Sequence, residues 1–210
     1  MRPLGILALQ GDFDAHRKAL AEIGQTAMLV RRPEELSAID GLIIPGGEST
    51  TLIKLMRDTA FVEPLRAFHA AGKPMYGTCA GAILLAANVR GPSQFSLGMV
   101  DIDIVRNAYG RQRESFETAT GQLEPGGDLP GPGLELVLIR APRIVRSGQE
   151  VRVMVRHEGD PVLVRQGMVL AGTFHPELGQ DRRVHAYFVE MVCGTALFGR
   201  ACEERRTVPS

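Results

Sequence analysis

Tyr76-Gly77-Thr78-Cys79-Ala80-Gly81 is the stretch from which the rest of the chain can be read. Gly72-Lys73-Pro74-Met75-Tyr76 reads as a loop feeding a short strand, and Ala82-Ile83-Leu84-Leu85-Ala86-Ala87 as a run of good helix formers. The junction is Gly-x-Cys-x-Gly, the cysteine counterpart of the Gly-x-Ser-x-Gly nucleophile elbow. Its glycines remove Cβ atoms that would clash across so tight a bend. A thiol at that junction points out of the sheet, and the start of the following helix favours its thiolate form. A cysteine without this setting reads as a small buried residue; glycine on both sides is what a reactive turn requires.

Working outward, the first ninety residues alternate as a parallel α/β sheet does. Leu4–Leu9 reads as a buried strand, 12–23 as a helix ended by Gly24, and 26–30 as a second strand. Arg31-Arg32-Pro33-Glu34-Glu35-Leu36 begins a short connection or helix, and Gly41-Leu42-Ile43-Ile44 is a third strand ended by Pro45-Gly46-Gly47. Residues 50–57 and 62–71 read as helices. In open sheets of this kind ligands bind outside the carboxyl ends of the strands. Gly46, Gly47 and Cys79 all fall at such ends and converge on one site.

The second half is richer in strand signals. Met99-Val100-Asp101-Ile102-Asp103-Ile104-Val105 alternates as a half-buried strand does. Residues 134–139, 151–156, 161–165 and 168–174 are further strands, and 182–197 is a closing helix. The Gly- and Pro-rich stretch 121–133 reads as a flexible surface loop. No repeat or linker divides the chain, so the expectation is one domain over 1–198 with a polar tail at 199–210. One substantial core is what 210 residues support.

Hydrophobic residues make up 44% and charged residues 23% of the chain, and the formal net charge is zero. That balance is ordinary for a soluble globular protein and gives no electrostatic case for nucleic acid or an anionic membrane as partner. No apolar run reaches the length of a membrane span, and the N-terminal segment reads as an opening strand rather than a signal peptide. Cys79, Cys193 and Cys202 show no paired or metal-type spacing. No metal or cofactor is expected, and a reducing, cytoplasmic setting fits.

A cysteine nucleophile needs a base for its proton and a third group to orient that base. His16, His69 and His185 fall on expected helices and read as surface or packing residues, and His157 as an exposed residue of a hairpin turn. His175 ends the strand Val169-Leu170-Ala171-Gly172-Thr173-Phe174 and opens His175-Pro176-Glu177. Proline keeps its predecessor extended, and residues two apart in an extended segment face the same side. Glu177 is therefore expected to accept the Nδ1 proton of His175 and leave Nε2 facing the thiol, as in a triad. For the oxyanion, the amide of Ala80 and the glycine amides of Pro45-Gly46-Gly47-Glu48-Ser49-Thr50-Thr51 stand at helix starts. A phosphate loop is the rival reading of the second segment, but the Lys-Ser/Thr ending is missing and Glu48 would repel phosphate.

With those residues in view, the chain resembles the class I (triad) glutamine amidotransferases, a flavodoxin-like α/β fold with an open mixed, mostly parallel sheet flanked by helices. Within them it resembles the glutaminase subunits of pyridoxal 5′-phosphate synthase. The resemblance runs from Leu4 to about Val192. Beyond the elbow and His-x-Glu it is carried by Leu9-Gln10-Gly11, Arg32-Pro33-Glu34, Gly46-Gly47-Glu48-Ser49-Thr50-Thr51, Arg106-Asn107, Gly110-Arg111-Gln112, Ser115-Phe116-Glu117 and Ile139-Arg140-Ala141-Pro142. It implies Cys79 as nucleophile, His175 as base and Glu177 as orienter. It also implies an L-glutamine pocket lined by Gly46, Gly47, Glu48, Arg106, Ile139 and Arg140, an oxyanion site at Gly47 and Ala80, and a supporting Gln10. A guanidinium suits the substrate carboxylate, with the choice between arginines open. The implied activity is hydrolysis of glutamine to glutamate and ammonia, passed to a synthase subunit in a large hetero-oligomer. Glutaminases of other amination pathways, a non-catalytic scaffold and a cysteine peptidase are the alternatives. The stretch 125–133 is longer than the family's usual loop and bears on the shape of the pocket edge near Ile139 and Arg140.

Overall fold

The computed structural model describes residues 3–106 and 117–194. Asn107, Gly110-Arg111-Gln112, Ser115-Phe116, Cys202 and the tail from 199 lie outside the described residues. The apolar stretches of the first half become β1 (Leu4–Leu7), β2 (Ala27–Val30), β3 (Gly41–Ile44) and β4 (Met75–Thr78). Each is four residues long, and β1, β3 and β4 are buried throughout, as parallel strands covered by helices on both faces are. They pair in parallel in the order β2-β1-β3-β4, and β12 (Val169–Gly172) joins beside β4, also in parallel.

Alternation along these strands sorts their side chains into two cores. Leu7, Leu42, Ile44, Met75, Val169 and Ala171 pack with α2 (Ser49–Asp58), α3 (Val62–Ala70) and α4 (Ala80–Leu85). Leu4, Ile6, Ile43, Tyr76 and Leu170 face the other way, toward α1 (Phe13–Glu22) and α5 (Arg183–Cys193). Phe188 of α5 and Tyr76 stack at a tilt on that side, ring centres 5.7 Å apart.

Beyond β12 the sheet turns antiparallel through β11 (Asp160–Gln166), β10 (Arg152–His157), β7 (Glu117–Leu123) and β8 (Leu134–Leu138). Among the described residues the nine-stranded sheet is thus mixed, with a parallel half and an antiparallel half. β7 takes Gly121–Leu123 out of the expected loop by pairing Gly121 with Leu134. His157 ends β10 opposite Asp160, half-buried, rather than sitting exposed in the turn.

A second, three-stranded sheet was not foreseen. It comprises β5 (Ala86–Arg90), β6 (Val100–Val105) and β9 (Arg143–Ser147), and it packs Val89, Ile102, Ile104 and Ile144 into the core shared with α2 and α4. The helix after the elbow stops at Leu85 because Ala86 pairs with Val100. Tertiary pairing overrides the helix preference of alanine here. Asp103 of β6 is buried and tied to all three strands, by Asn88 Nδ2 at 2.9 Å, Arg146 Nε at 3.0 Å, and Arg90.

The remaining loop, 124–133, is anchored. Leu129 is buried, Tyr187 Oη donates to Asp128 Oδ2 at 2.8 Å, Arg152 Nη1 donates to the same oxygen at 3.0 Å, and Arg183 binds the carbonyls of Pro130 and Gly133. α5 ends at Cys193, half-buried, with Gly194 in the left-handed conformation as its cap.

The elbow is a tight backbone crossing. A Cβ on Gly77 would lie 2.5 Å from the carbonyl carbon of Gly81, and one on Gly81 would overlap the Ile44 carbonyl oxygen. Both obstacles are backbone and cannot rotate away. Gly81→Ala is therefore expected to lower unfolding free energy by about 1–3 kcal/mol in a urea titration; unchanged stability would contradict this packing.

Candidate active site

Cys79 joins β4 to α4 with φ 45° and ψ −101°, a strained conformation for a residue with a side chain. Strain of this kind persists only where surrounding structure enforces it. The Cys79 amide donates to the Gly172 carbonyl at 2.8 Å, and its carbonyl accepts from Ile83 at 3.1 Å, the first bond of α4. The sulfur is thereby presented at the carboxyl edge of the parallel strands, and the residue is only 7% exposed.

β12 brings His175 to the same edge. The His175 amide donates to the Val137 carbonyl at 2.8 Å, so β8 of the antiparallel half helps to place it. Its Nδ1 lies 2.8 Å from Glu177 Oε1, and its ring hydrogen-bonds Cys79. The contact with Glu177 is made differently from the expectation. The segment is a turn closed by Leu178 N–H to the His175 carbonyl at 3.2 Å, not an extended strand. Proline suits that turn because its φ is already fixed. Burial pulls the imidazole pKa down, but the hydrogen bonds and charges of Cys79 and Glu177 outweigh it and push it up to about 10. His175 is accordingly an imidazolium near neutral pH.

The Gly46-Gly47 turn lies against this pair. A Cβ on Gly46 would collide with the His175 ring and approach Cys79 Cβ at 3.2 Å. Gly47 has φ 150°, and a Cβ there would sit 2.5 Å from Gln10 Oε1. Gln10 Oε1 also accepts from the Glu48 amide at 3.1 Å, so Gln10 braces this turn directly. Glu48 caps α2, its carboxylate accepting from Thr50 N at 3.1 Å and Thr50 Oγ1 at 2.8 Å. Those two bonds, with help from Arg106 and Arg140, hold its carboxyl below the usual range.

A cavity of about 150 Å³ opens over the sulfur, lined by Gly47, Glu48, Cys79, Arg106, Ile139, Arg140 and His175, with Asp12, Ser49, Ile83 and Pro142. It has room for a small polar molecule. Gly46, Ala80 and Gln10 stand behind the lining, and Glu177 lies behind His175. Arg106 is mostly buried and reaches Glu48 Oε1 at 3.9 Å. Arg140, just past β8, has φ 44°. The anchored loop 124–133 binds α5 and β10, and none of its residues lines the cavity. Asp12, His175 and Glu177 bring three potential ligand atoms within 4.8 Å of one another. Within that trio His175 Nδ1 is already the hydrogen-bond partner of Glu177 Oε1 at 2.8 Å.

Three groups that the local sequence does not single out stand behind the triad. His16 of α1 and His185 of α5 are fully buried, with His16 Nδ1 3.0 Å from His185 Nε2. His16 Nε2 lies 3.1 Å from Thr78 Oγ1 and 3.4 Å from Glu177 Oε2. Thr78 Oγ1 accepts from the Gly46 amide at 2.9 Å. The available signal was that His16 falls three residues before the buried Ala19 and four before Leu20, the inward spacing of an amphipathic helix.

Residues 6–194 match the SNO glutamine amidotransferase family. The chain is 54% identical over 189 residues to the pyridoxal 5′-phosphate synthase subunit PdxT of Koribacter versatilis, covering 90% of this chain and 95% of that one. It is 49% identical to the subunit of the same name from Brevibacillus brevis, covering 90% and 96%. A crystal structure described as a glutamine amidotransferase superposes with a TM-score of 0.82 at 45% identity, covering 90% of this chain and 98% of that one. Among the described residues no helix is long and apolar enough to cross a membrane.

The three histidines titrate in opposite senses. Burial, then Arg182, holds His185 down to about 3, with Glu22 opposing, and burial plus the neighbouring imidazoles holds His16 well below its ordinary value. Both are neutral when folded and take up protons on unfolding, so their contribution is complete above about pH 6.5 and declines as pH falls below it, that of His185 being lost toward about 3. His175 is raised to about 10, so its contribution is complete below about 6.5 and lost as pH climbs through 10. The thermal midpoint should fall on both sides of that point. In His185→Phe the acid limb should be shallower by roughly one proton; an unaltered acid slope would refute the buried neutral state.

Proposed function

The chain belongs to the SNO glutamine amidotransferase family, and we propose that Cys79, His175 and Glu177 are the triad with which it hydrolyses L-glutamine to glutamate and ammonia. The observation that carries this reading is the strained Cys79, hydrogen-bonded to a His175 that Glu177 holds at 2.8 Å, beneath a cavity edged by two arginines. The imidazolium stabilises a thiolate beside it, and the sulfur attacks the side-chain carboxamide carbon of glutamine. The oxyanion of the tetrahedral intermediate is met by the amides of Gly47 and Ala80. His175 then gives its Nε2 proton to the nitrogen, ammonia departs, and a γ-glutamyl thioester remains. Water, deprotonated by the now neutral Nε2, clears it to glutamate. Glu177 holds Nδ1–H throughout, which fixes the ring and supports its charge.

Gly46, Gly47, Glu48, Arg106, Ile139 and Arg140 form the glutamine pocket in this reading. A guanidinium offers two parallel donors to the α-carboxylate, and Glu48 offers a carboxylate to the α-ammonium. Gln10 supports the turn that carries the Gly47 amide. The chain is the glutaminase subunit of a pyridoxal 5′-phosphate synthase, as its relatives of that name support. Its ammonia goes to the synthase subunit of the hetero-oligomer. Bulk water would protonate and disperse free ammonia, which is the chemical reason for delivery within a complex. The domain extends over 1–198 with a polar tail at 199–210, and the complex works in the cytoplasm.

Ammonia release from glutamine, with the synthase subunit present, tests this. Cys79→Ala should fall to background, and activity near wild type would end the assignment. Glu177→Gln should lower kcat by about a thousandfold or more. Arg106→Ala should raise KM for glutamine much more than it lowers kcat; the reverse split would remove Arg106 from substrate binding.

A further inference from the structure

His16 lies outside the cavity, yet it touches both halves of the machinery around it. Its Nε2 is 3.4 Å from Glu177 Oε2, the carboxylate oxygen turned away from His175, and 3.1 Å from Thr78 Oγ1. Among the described residues Glu177 Oε2 is buried without a hydrogen bond of full geometry, and the 3.4 Å approach of His16 Nε2 is an electrostatic contact. Thr78 precedes Cys79 and accepts the amide of Gly46, which precedes Gly47. One buried imidazole therefore adjoins the acid of the triad, the residue before the nucleophile and, through Thr78, the oxyanion turn.

The tautomer follows from its surroundings. With the proton on Nδ1, the Nε2 lone pair would face a carboxylate oxygen in a dry core, a repulsive arrangement. With the proton on Nε2, His16 donates toward Thr78 Oγ1 and Glu177 Oε2 and accepts at Nδ1 from His185 Nε2–H, 3.0 Å away. The second assignment also settles His185. Among the described residues its Nδ1 is buried without a hydrogen-bond partner, and in this tautomer the orphan is a lone pair rather than an N–H. Orphaned acceptors are tolerated more readily than orphaned donors.

We propose that His16, fixed as the Nε2–H tautomer by His185, is a positioning residue for glutamine hydrolysis. It holds the inner oxygen of Glu177 so that Oε1 stays turned to His175 Nδ1, and it keeps Thr78, and with it the Gly46 amide, in register with the elbow. This rests on the triad reading above. His16 never meets substrate: it acts through Glu177 and Thr78.

The test is glutamine hydrolysis with the synthase subunit present, comparing wild type, His16→Leu and His16→Gln. Leucine fills the space without a donor, whereas the glutamine amide offers an N–H near the place of Nε2. His16→Leu should lose about ten- to fiftyfold in kcat with KM changed less than about twofold. His16→Gln should recover most of that loss. The alkaline limb of kcat should move to lower pH in His16→Leu, because a less firmly held Glu177 supports the His175 proton less well. The groups facing His175 in that titration are Cys79, Glu177 and Asp12; those facing His16 are His185, Glu177, Thr78 and Tyr76. A folded His16→Leu with wild-type kcat and an unmoved limb overturns the proposal, as does His16→Gln equally impaired. Should the variants not fold, ¹⁵N spectra of histidine-labelled wild type read the tautomer directly. His16 must be neutral with its proton on Nε2, and a proton on Nδ1 overturns the proposal. Wild type without glutaminase activity would unseat the triad reading instead, and the tautomer is measurable either way.

Discussion

The Ile44 carbonyl and the backbone of α4 approach so closely that only glycine fits at position 81, and much else is arranged around that approach. α4 must lie directly on the end of β3, which leaves the chain no room for a gradual turn out of β4. The reversal falls on one residue, Cys79, at φ 45°. A residue so placed cannot fold its side chain back into either core. The strain that this conformation stores is maintained by two short parallel strands whose side chains are locked into cores on both faces. Reactivity at the edge thus depends on rigidity beneath it.

Two halves of the sheet divide the work. The parallel half presents Gly46, Gly47 and Cys79 at the carboxyl ends of β3 and β4, where the helix starts also point. The antiparallel half reaches the same edge by different means. Its outer strand β8 takes the His175 amide through Val137 and then releases Ile139 and Arg140 at the cavity rim. The base and the rim are therefore coupled to each other through one strand, and the nucleophile and the oxyanion turn through another pair. The side chains of Cys79, His175, Glu177, Thr78 and His16 bridge the two sets.

How far the sequence could be read follows from what kind of information it holds. Short apolar stretches between Gly and Pro marked β1, β3 and β4 because burial on both faces leaves an uninterrupted apolar run. The elbow was legible because its two glycines answer a backbone constraint that no other residue meets. β5 and β9 were not. Ala86-Ala87 belongs to a helix by propensity and becomes a strand only through pairing with β6, and Arg143–Ser147 buries one side chain fully, Ile144. The turn at Pro176 was missed for a related reason: proline restrains its predecessor but leaves the following residues to be placed by hydrogen bonds that local sequence does not specify. His16 and His185 were the hardest. They are 169 positions apart, and nothing local says that α1 and α5 will lie side by side.

Those two histidines also bear on how His175 stays charged. Three imidazoles stand in one low-dielectric region, and the environment drives them apart in proton affinity, His175 upward and His16 and His185 downward. Had His16 been cationic, it would have competed with His175 for the same Glu177 carboxylate and repelled the second positive charge a few ångströms away. Neutral and oriented, it supplies a dipole without a charge. A carboxylate in a dry core needs more than one donor to stay in place. The second donor must not be an arginine or lysine, whose fixed charge would weaken the hold of Glu177 on the His175 proton. A buried histidine, kept neutral by its own burial and turned by another histidine behind it, meets both requirements. The positions of His16 and His185 are then explained by the electrostatics of one imidazolium, and not by packing alone.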